Sequence, residues 1–163
     1  MPTPSWLSAD DAEFITKGLS ITLASRDLRH VPSIARALAC RISADAQQLV
    51  VLLSRRQSAD LLRDVAACGQ LAVVITEPSS HRTLQLKGRD ALINALEADD
   101  LTVLAASQAN FAADILPMGF DESFTRRLYA FEAADLCRLV MTPTDVFQQT
   151  PGVDAGKRIG PQP

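Results

Sequence analysis

Between residues 20 and 93 the apolar residues recur mainly with period two, and no other feature constrains this chain as strongly, because that spacing builds strands rather than helices. Residues 20–25 alternate as a half-buried strand does, and the polar 26–30 turn leads into a second strand over 31–42. One face of that second strand carries Val31, Ser33, Ala35, Ala37, Ala39 and Arg41; the other carries Pro32, Ile34, Arg36, Leu38, Cys40 and Ile42. Residues 49–53 are a continuous apolar strand that stops at Ser54-Arg55-Arg56-Gln57-Ser58. Strands over 71–76 and 81–93, the latter with Gly88 as a bulge, complete a set of five.

Helical spacing appears in three places. Ser8 caps a helix that Gly18 stops; Leu61, Leu62, Val65 and Ala66 follow the N-cap Ser58; and Leu101, Leu104, Gln108, Phe111 and Ile115 share a face of an Ala-rich helix ended by Pro117 and Gly119. Asp121 caps a shorter helix through Tyr129, and a last strand runs over 136–141. Thr142-Pro143-Thr144-Asp145 has the form of a capping box and predicts one more short helix, with 151–163 an exposed tail. The expected fold is mainly β: an antiparallel barrel of about six strands with peripheral α-helices, one domain over 1–150.

Composition sets the class of protein. Sixteen Lys and Arg against 19 Asp and Glu leave a net charge of −3, so neither nucleic acid nor an anionic membrane is an expected partner. The aliphatic runs are far too short to span a membrane, and the start has no basic segment followed by an apolar one. Cys40, Cys68 and Cys137 are odd in number, far apart and free of His neighbours at metal spacing, which predicts a cytoplasmic protein with neither a disulfide framework nor a metal site.

Arg36 among apolar neighbours calls for an anion, either an internal carboxylate or a bound phosphate or carboxylate. The turn Ser54-Arg55-Arg56-Gln57-Ser58 joins a strand end to a helix start, where amides, hydroxyls and arginines can hold a phosphate, although solvated turn residues would look the same. His81, Thr83, Gln85 and Lys87 share one strand face, suited to a polar ligand or to solvent.

The small-residue strand with Arg36, the aliphatic strand ending in Ser54-Arg55-Arg56, the helix, the strand 71–76 and the HRTLQLKG strand together resemble the pyridoxamine 5'-phosphate oxidase-like, FMN-binding split-barrel family. The final stretch RLVMTPTDVFQQTPGVDAG is similar to the ends of its short members. Arg36 to Arg41 is similar to the family's flavin-contacting R-x-x-x-x-K, with Arg41 in place of the lysine. The family's Ser-Arg-Lys falls on Ser58-Ala59-Asp60, so Arg55 and Arg56 are the candidates to replace its two basic contacts. Its glutamine falls on Thr83, or on Gln85 after a shift of two.

The resemblance implies a homodimer with FMN between subunits and an FMN-dependent oxidoreductase acting on a small-molecule substrate. It places the phosphate on the basic turn and the flavin ring against Ala35, Ala37 and Ala39. The cofactor-binding set is then Arg36, Arg41, Ser54, Arg55, Arg56, Ser58, Thr83 and Gln85. Two alternatives stay open: a haem- or deazaflavin-binding protein on the same fold, for which His81 is the haem cue, and a cofactor-free dimeric ligand-sensing or interaction module.

Overall fold

The structure, a computed structural model, describes residues 3–159. Helix α1 (Ala9–Ile15) starts where Ser8 accepts from the Asp11 amide at 3.1 Å. Strands β1 (Ser20–Arg26), β2 (Pro32–Ala37), β3 (Ala39–Ile42) and β4 (Leu49–Ser54) follow, then helix α2 (Ala59–Cys68), β5 (Leu71–Thr76), β6 (Thr83–Gly88) and β7 (Leu92–Asn94). Helices α3 (Asp100–Ile115) and α4 (Glu122–Leu128) form an arm, and β8 (Leu136–Met141) and β9 (Asp145–Gln148) close the chain.

Two antiparallel sheets result, with strand orders β2-β1-β5-β6-β9 and β3-β4-β8-β7. Their inner faces meet in one core, built from Ile21, Leu23, Leu49, Val51, Leu53, Val73, Ile75, Leu84, Leu86 and Leu139 and plugged by Leu61, Leu62 and Val65 of α2. Each such aliphatic side chain contributes roughly 1.5–3 kcal/mol by leaving water. A second, smaller core lies outside the four-stranded sheet. There Val50 and Leu52 of β4 and Val140 of β8 pack beneath Leu104, Phe111 and Ile115 of α3. Strand β4 is thus buried on both faces, which is why its sequence is apolar without alternation.

The single strand expected over 31–42 is two strands in different sheets, with the corner at Leu38. The corner also reverses the alternation: Ala35 and Ala37 face the barrel core before it, and Cys40 and Ile42 face it after. Arg36 and Leu38 therefore point outward together while Cys40 points in, correcting the expectation that all three share a face. A second correction concerns residues 142–145, which form no helix. The Thr144 amide donates to the Lys87 carbonyl at 2.8 Å and β9 pairs with β6, because the open edge of β6 offers more backbone partners than a one-turn helix could. Beyond Thr150 the chain is exposed and turns back on itself, with an isolated bridge between Phe147 and Arg158; 160–163 lie outside the described residues.

Candidate functional site

Strand β4 carries Ser54, buried, to the mouth of the turn into α2, and a carboxylate from the end of the helical arm meets it there. The Ser54 hydroxyl donates to Asp135, and the Arg56 amide donates to Asp135 Oδ1 at 3.1 Å. The Arg55 amide donates to the Asp135 carbonyl at 2.8 Å. The Arg56 guanidinium lies 3.8 Å from the same carboxylate and 3.0 Å from Glu132. The Ser54 hydroxyl, then the Arg56 amide and guanidinium, hold the Asp135 carboxyl below the ordinary carboxylate range. These groups bind an anion, and the anion they hold belongs to the chain itself.

Two groups at the turn are unspent. Ser58, buried at the N-cap position of α2, makes no capping bond, and its Oγ has no hydrogen-bond partner. The Arg55 side chain is exposed, with no carboxylate partner among the described residues.

Arg36 leaves β2 on its outer face and lies over a pair of touching aromatic rings of the arm, 5.6 Å from the centroids of both Phe111 and Tyr129. Its Nε and Nη2 are buried without hydrogen-bond partners. No carboxylate among the described residues pairs with it, so the internal anion considered for Arg36 is not there; aromatic faces stand in its place. Burial pushes the Tyr129 phenol up, against the pull of the Arg36 charge.

Arg41 is committed elsewhere. Its Nε lies 3.0 Å from the fully buried Asp100 and its Nη2 2.8 Å from Glu97, which also accepts from Arg138. The strand expected over 81–93 is two strands in different sheets, β6 and β7, and His81, at φ +61°, precedes β6. Within β6 the alternation is as expected, with Leu84 and Leu86 in the core and Thr83, Gln85 and Lys87 facing outward. Thr83 Oγ1 donates to the His81 carbonyl at 3.0 Å, and Gln85 accepts from Gln149 at 3.4 Å.

The predicted site residues thus fall into three places. Ser54, Arg55, Arg56 and Ser58 share one turn; Arg36 and Arg41 lie under the arm; Thr83 and Gln85 lie on the outer face of the five-stranded sheet. The arm and its flanks engage the first two groups: Glu97 and Asp100 take Arg41, Phe111 and Tyr129 take Arg36, and Asp135 takes the turn. Sequence reasoning missed these partners because they lie 59 residues from Arg41 and 81 from Ser54 along the chain. The alanines proposed for the flavin ring are not free either. Ala35 and Ala37 are in the barrel core and Ala39 is under α3, a consequence of the corner at Leu38.

The outer face of the five-stranded sheet is the open surface. Across it Thr22 lies between Arg36 and Val74, and Val74 next to Gln85; in the next row come Ile34, Ala24, Ala72 and Lys87. Ile34 is 73% exposed there.

No protein-family profile matches the sequence, and no curated protein is significantly similar to it. Solved structures do match. HupZ of Group A Streptococcus superposes with a TM-score of 0.56 at 11% identity, over 92% of this chain and 100% of that one. A pyridoxamine 5'-phosphate oxidase-related, FMN binding protein of Nostoc punctiforme superposes with a TM-score of 0.51 at 13% identity, over 96% and 99%. At these identities the likeness is one of fold, and the fold is the split barrel of the pyridoxamine 5'-phosphate oxidase-like proteins, as the sequence pattern led us to expect. No helix among the described residues is long and apolar enough to cross a membrane.

Proposed function

We propose that this chain is an FMN-binding flavoprotein that works as a homodimer, a flavin-dependent oxidoreductase of the cytoplasm acting on a small molecule. The observation that carries the reading is the β4–α2 turn, where a carboxylate stands in for a phosphate: the donors of Ser54 and Arg56 already converge on an anion. Ser58 Oγ and the Arg55 guanidinium are donors the stand-in leaves unused. The donor chemistry fits a phosphate dianion, provided that Asp135 withdraws.

Ser54, Arg55, Arg56 and Ser58 would hold the phosphate, with the α2 N-terminus adding its dipole. Thr83 and Gln85 on the open sheet face would take polar edges of the ring. Arg36 would lend positive charge from beneath Phe111 and Tyr129. When bound, FMN supplies hydride or electron transfer. The exposed Ile34 on the edge strand β2 supports assembly through that edge of the face, leaving the β1–β5–β6 end open. Cytoplasmic residence accords with three free thiols.

Titration of the protein with FMN and with riboflavin tests the reading. FMN should bind about tenfold or more tighter than riboflavin, and Asp135→Asn, which removes the competing charge, should raise FMN affinity without changing that for riboflavin. Equal affinities for the two flavins would remove the phosphate site. A second reading, a cofactor-free dimeric module, is favoured by the occupancy of Arg41 and Arg36 by the arm, and absence of any flavin binding even in Asp135→Asn would select it.

A further inference from the structure

A groove of about 320 Å³ opens at the end of the five-stranded sheet remote from the Ser20–Thr76–Thr83 row. Its floor and walls follow from register. Ala24 lies beside Ala72, and Ala72 beside Lys87, so two small side chains separate β1 from the long Lys87 of β6. One step further along, Arg26 ends β1, Gln70 precedes β5, and Arg89 follows β6; all three line the groove. Alternation puts Arg26 on the outer face with Ala24, and Arg89, in the bend just past β6, lines the groove beside Lys87. The result is a trough of alanine between three cations.

Those cations have no carboxylate partners among the described residues. The Arg26 Nη1 donates to the Asp27 carbonyl at 3.0 Å, Lys87 Nζ lies 4.8 Å over the Phe147 ring, and Arg89 is exposed. One acid, Asp145, lines the groove, and it is paired with Arg158 at 3.0 Å. Three basic residues line one concave wall against a single acid, Asp145, which lies across from Lys87, and bias the local potential positive in a chain whose net charge is −3. The backbone beneath is fixed. The Ser25 hydroxyl donates to the Gln70 carbonyl at 2.8 Å, and Gly69, at φ +66°, lies so close to Arg89 that a Cβ would meet its carbonyl at 2.7 Å.

We propose that this groove is a second ligand site, separate from the β4–α2 turn, that binds a small oxyanion carrying two or more negative charges, a phosphate ester or a polycarboxylate. Arg26, Lys87 and Arg89 supply charge-assisted hydrogen bonds and the Gln70 side-chain amide an uncharged donor, while Ala24 and Ala72 leave room for the ligand's body. The site stands on geometry that owes nothing to flavin binding.

Amide chemical-shift mapping of the full chain with inorganic phosphate, and separately with citrate, tests it. Saturable shifts at residues 24–26, 70–72 and 87–89 are expected, with a preference for one probe telling a phosphate ester from a polycarboxylate. Lys87→Ala and Arg89→Ala should each weaken binding about tenfold, whereas Lys17→Ala, which removes an exposed charge elsewhere, should leave it unchanged. The site is overturned if neither probe shifts the groove, or if Lys17→Ala weakens binding as much as the groove variants do, which would mark general attraction to charge. Because Arg55 and Ser58 are untouched in these variants, loss of flavin binding at the turn and loss of oxyanion binding in the groove are separately visible.

Discussion

At the scale of the residue, Arg36 shows how a correct physical demand can be met by an unexpected partner. A guanidinium on an apolar face needs something negative, and the quadrupoles of Phe111 and Tyr129 provide it. Its two orphaned nitrogens cost about 1–3 kcal/mol each, and the contact with each of the two rings returns about 0.5–2 kcal/mol. These terms nearly cancel, so Arg36→Met should change stability by no more than about 1 kcal/mol in a urea titration. A loss of about 3–5 kcal/mol would mean a carboxylate had been stranded instead. Asp100 is the opposite case. It is fully buried, lies 3.0 Å from Arg41 and accepts from the Glu97 amide at 2.8 Å, so Asp100→Ala should cost about 3–5 kcal/mol by leaving Arg41 without its buried partner.

At the scale of the element, the arm is fastened at both ends by charge and in the middle by shape. Gly18 makes the middle contact: at φ +80°, a Cβ there would lie 2.4 Å from the Ser107 Cα of α3. Gly18→Ala therefore adds a backbone clash to a left-handed strain, and a loss of about 3 kcal/mol or more is expected from the denaturant midpoint. The Asp135 end depends on pH. Its native pKa lies below the ordinary 3.8, so the stability it contributes is complete above that value and drains away as pH falls through the lower native one. Acid unfolding of Asp135→Asn should lack this part of the pH dependence, with the difference from the natural protein confined to the region below about pH 5. The elements themselves were largely legible in the sequence, because α2 and α3 carry a helical period and β4 and β5 are short continuous apolar runs bounded by polar turns. Residues 142–145 were not, since a capping box is a local signal and the edge of β6 that overrides it lies more than 50 residues away.

At the scale of the whole molecule, the two sheets differ in what covers their outer faces. The four-stranded sheet is covered by α3, whereas the five-stranded sheet presents Ile34 of its edge strand β2 to solvent. If that face joins two copies, sedimentation at low micromolar concentration should show a dimer, and Ile34→Asp, which places a charge on the face without touching either core, should yield a folded monomer. A natural protein that sediments as a monomer would remove the proposed assembly.

Period and composition alone determined that this chain makes an antiparallel barrel, because which face of a strand meets the core is written locally in every second residue. They also determined that the turn after β4 gathers anion donors, since a strand end, two hydroxyls and a helix start are neighbours in sequence. What occupies those donors only the tertiary structure decided. The corner at Leu38 left Ala35 and Ala37 in the barrel and put Ala39 beneath α3, and chain closure brought Asp135 to Ser54 and Phe111 to Arg36. Pairings across such separations depend on how the arm packs over the four-stranded sheet, and no local spacing records that.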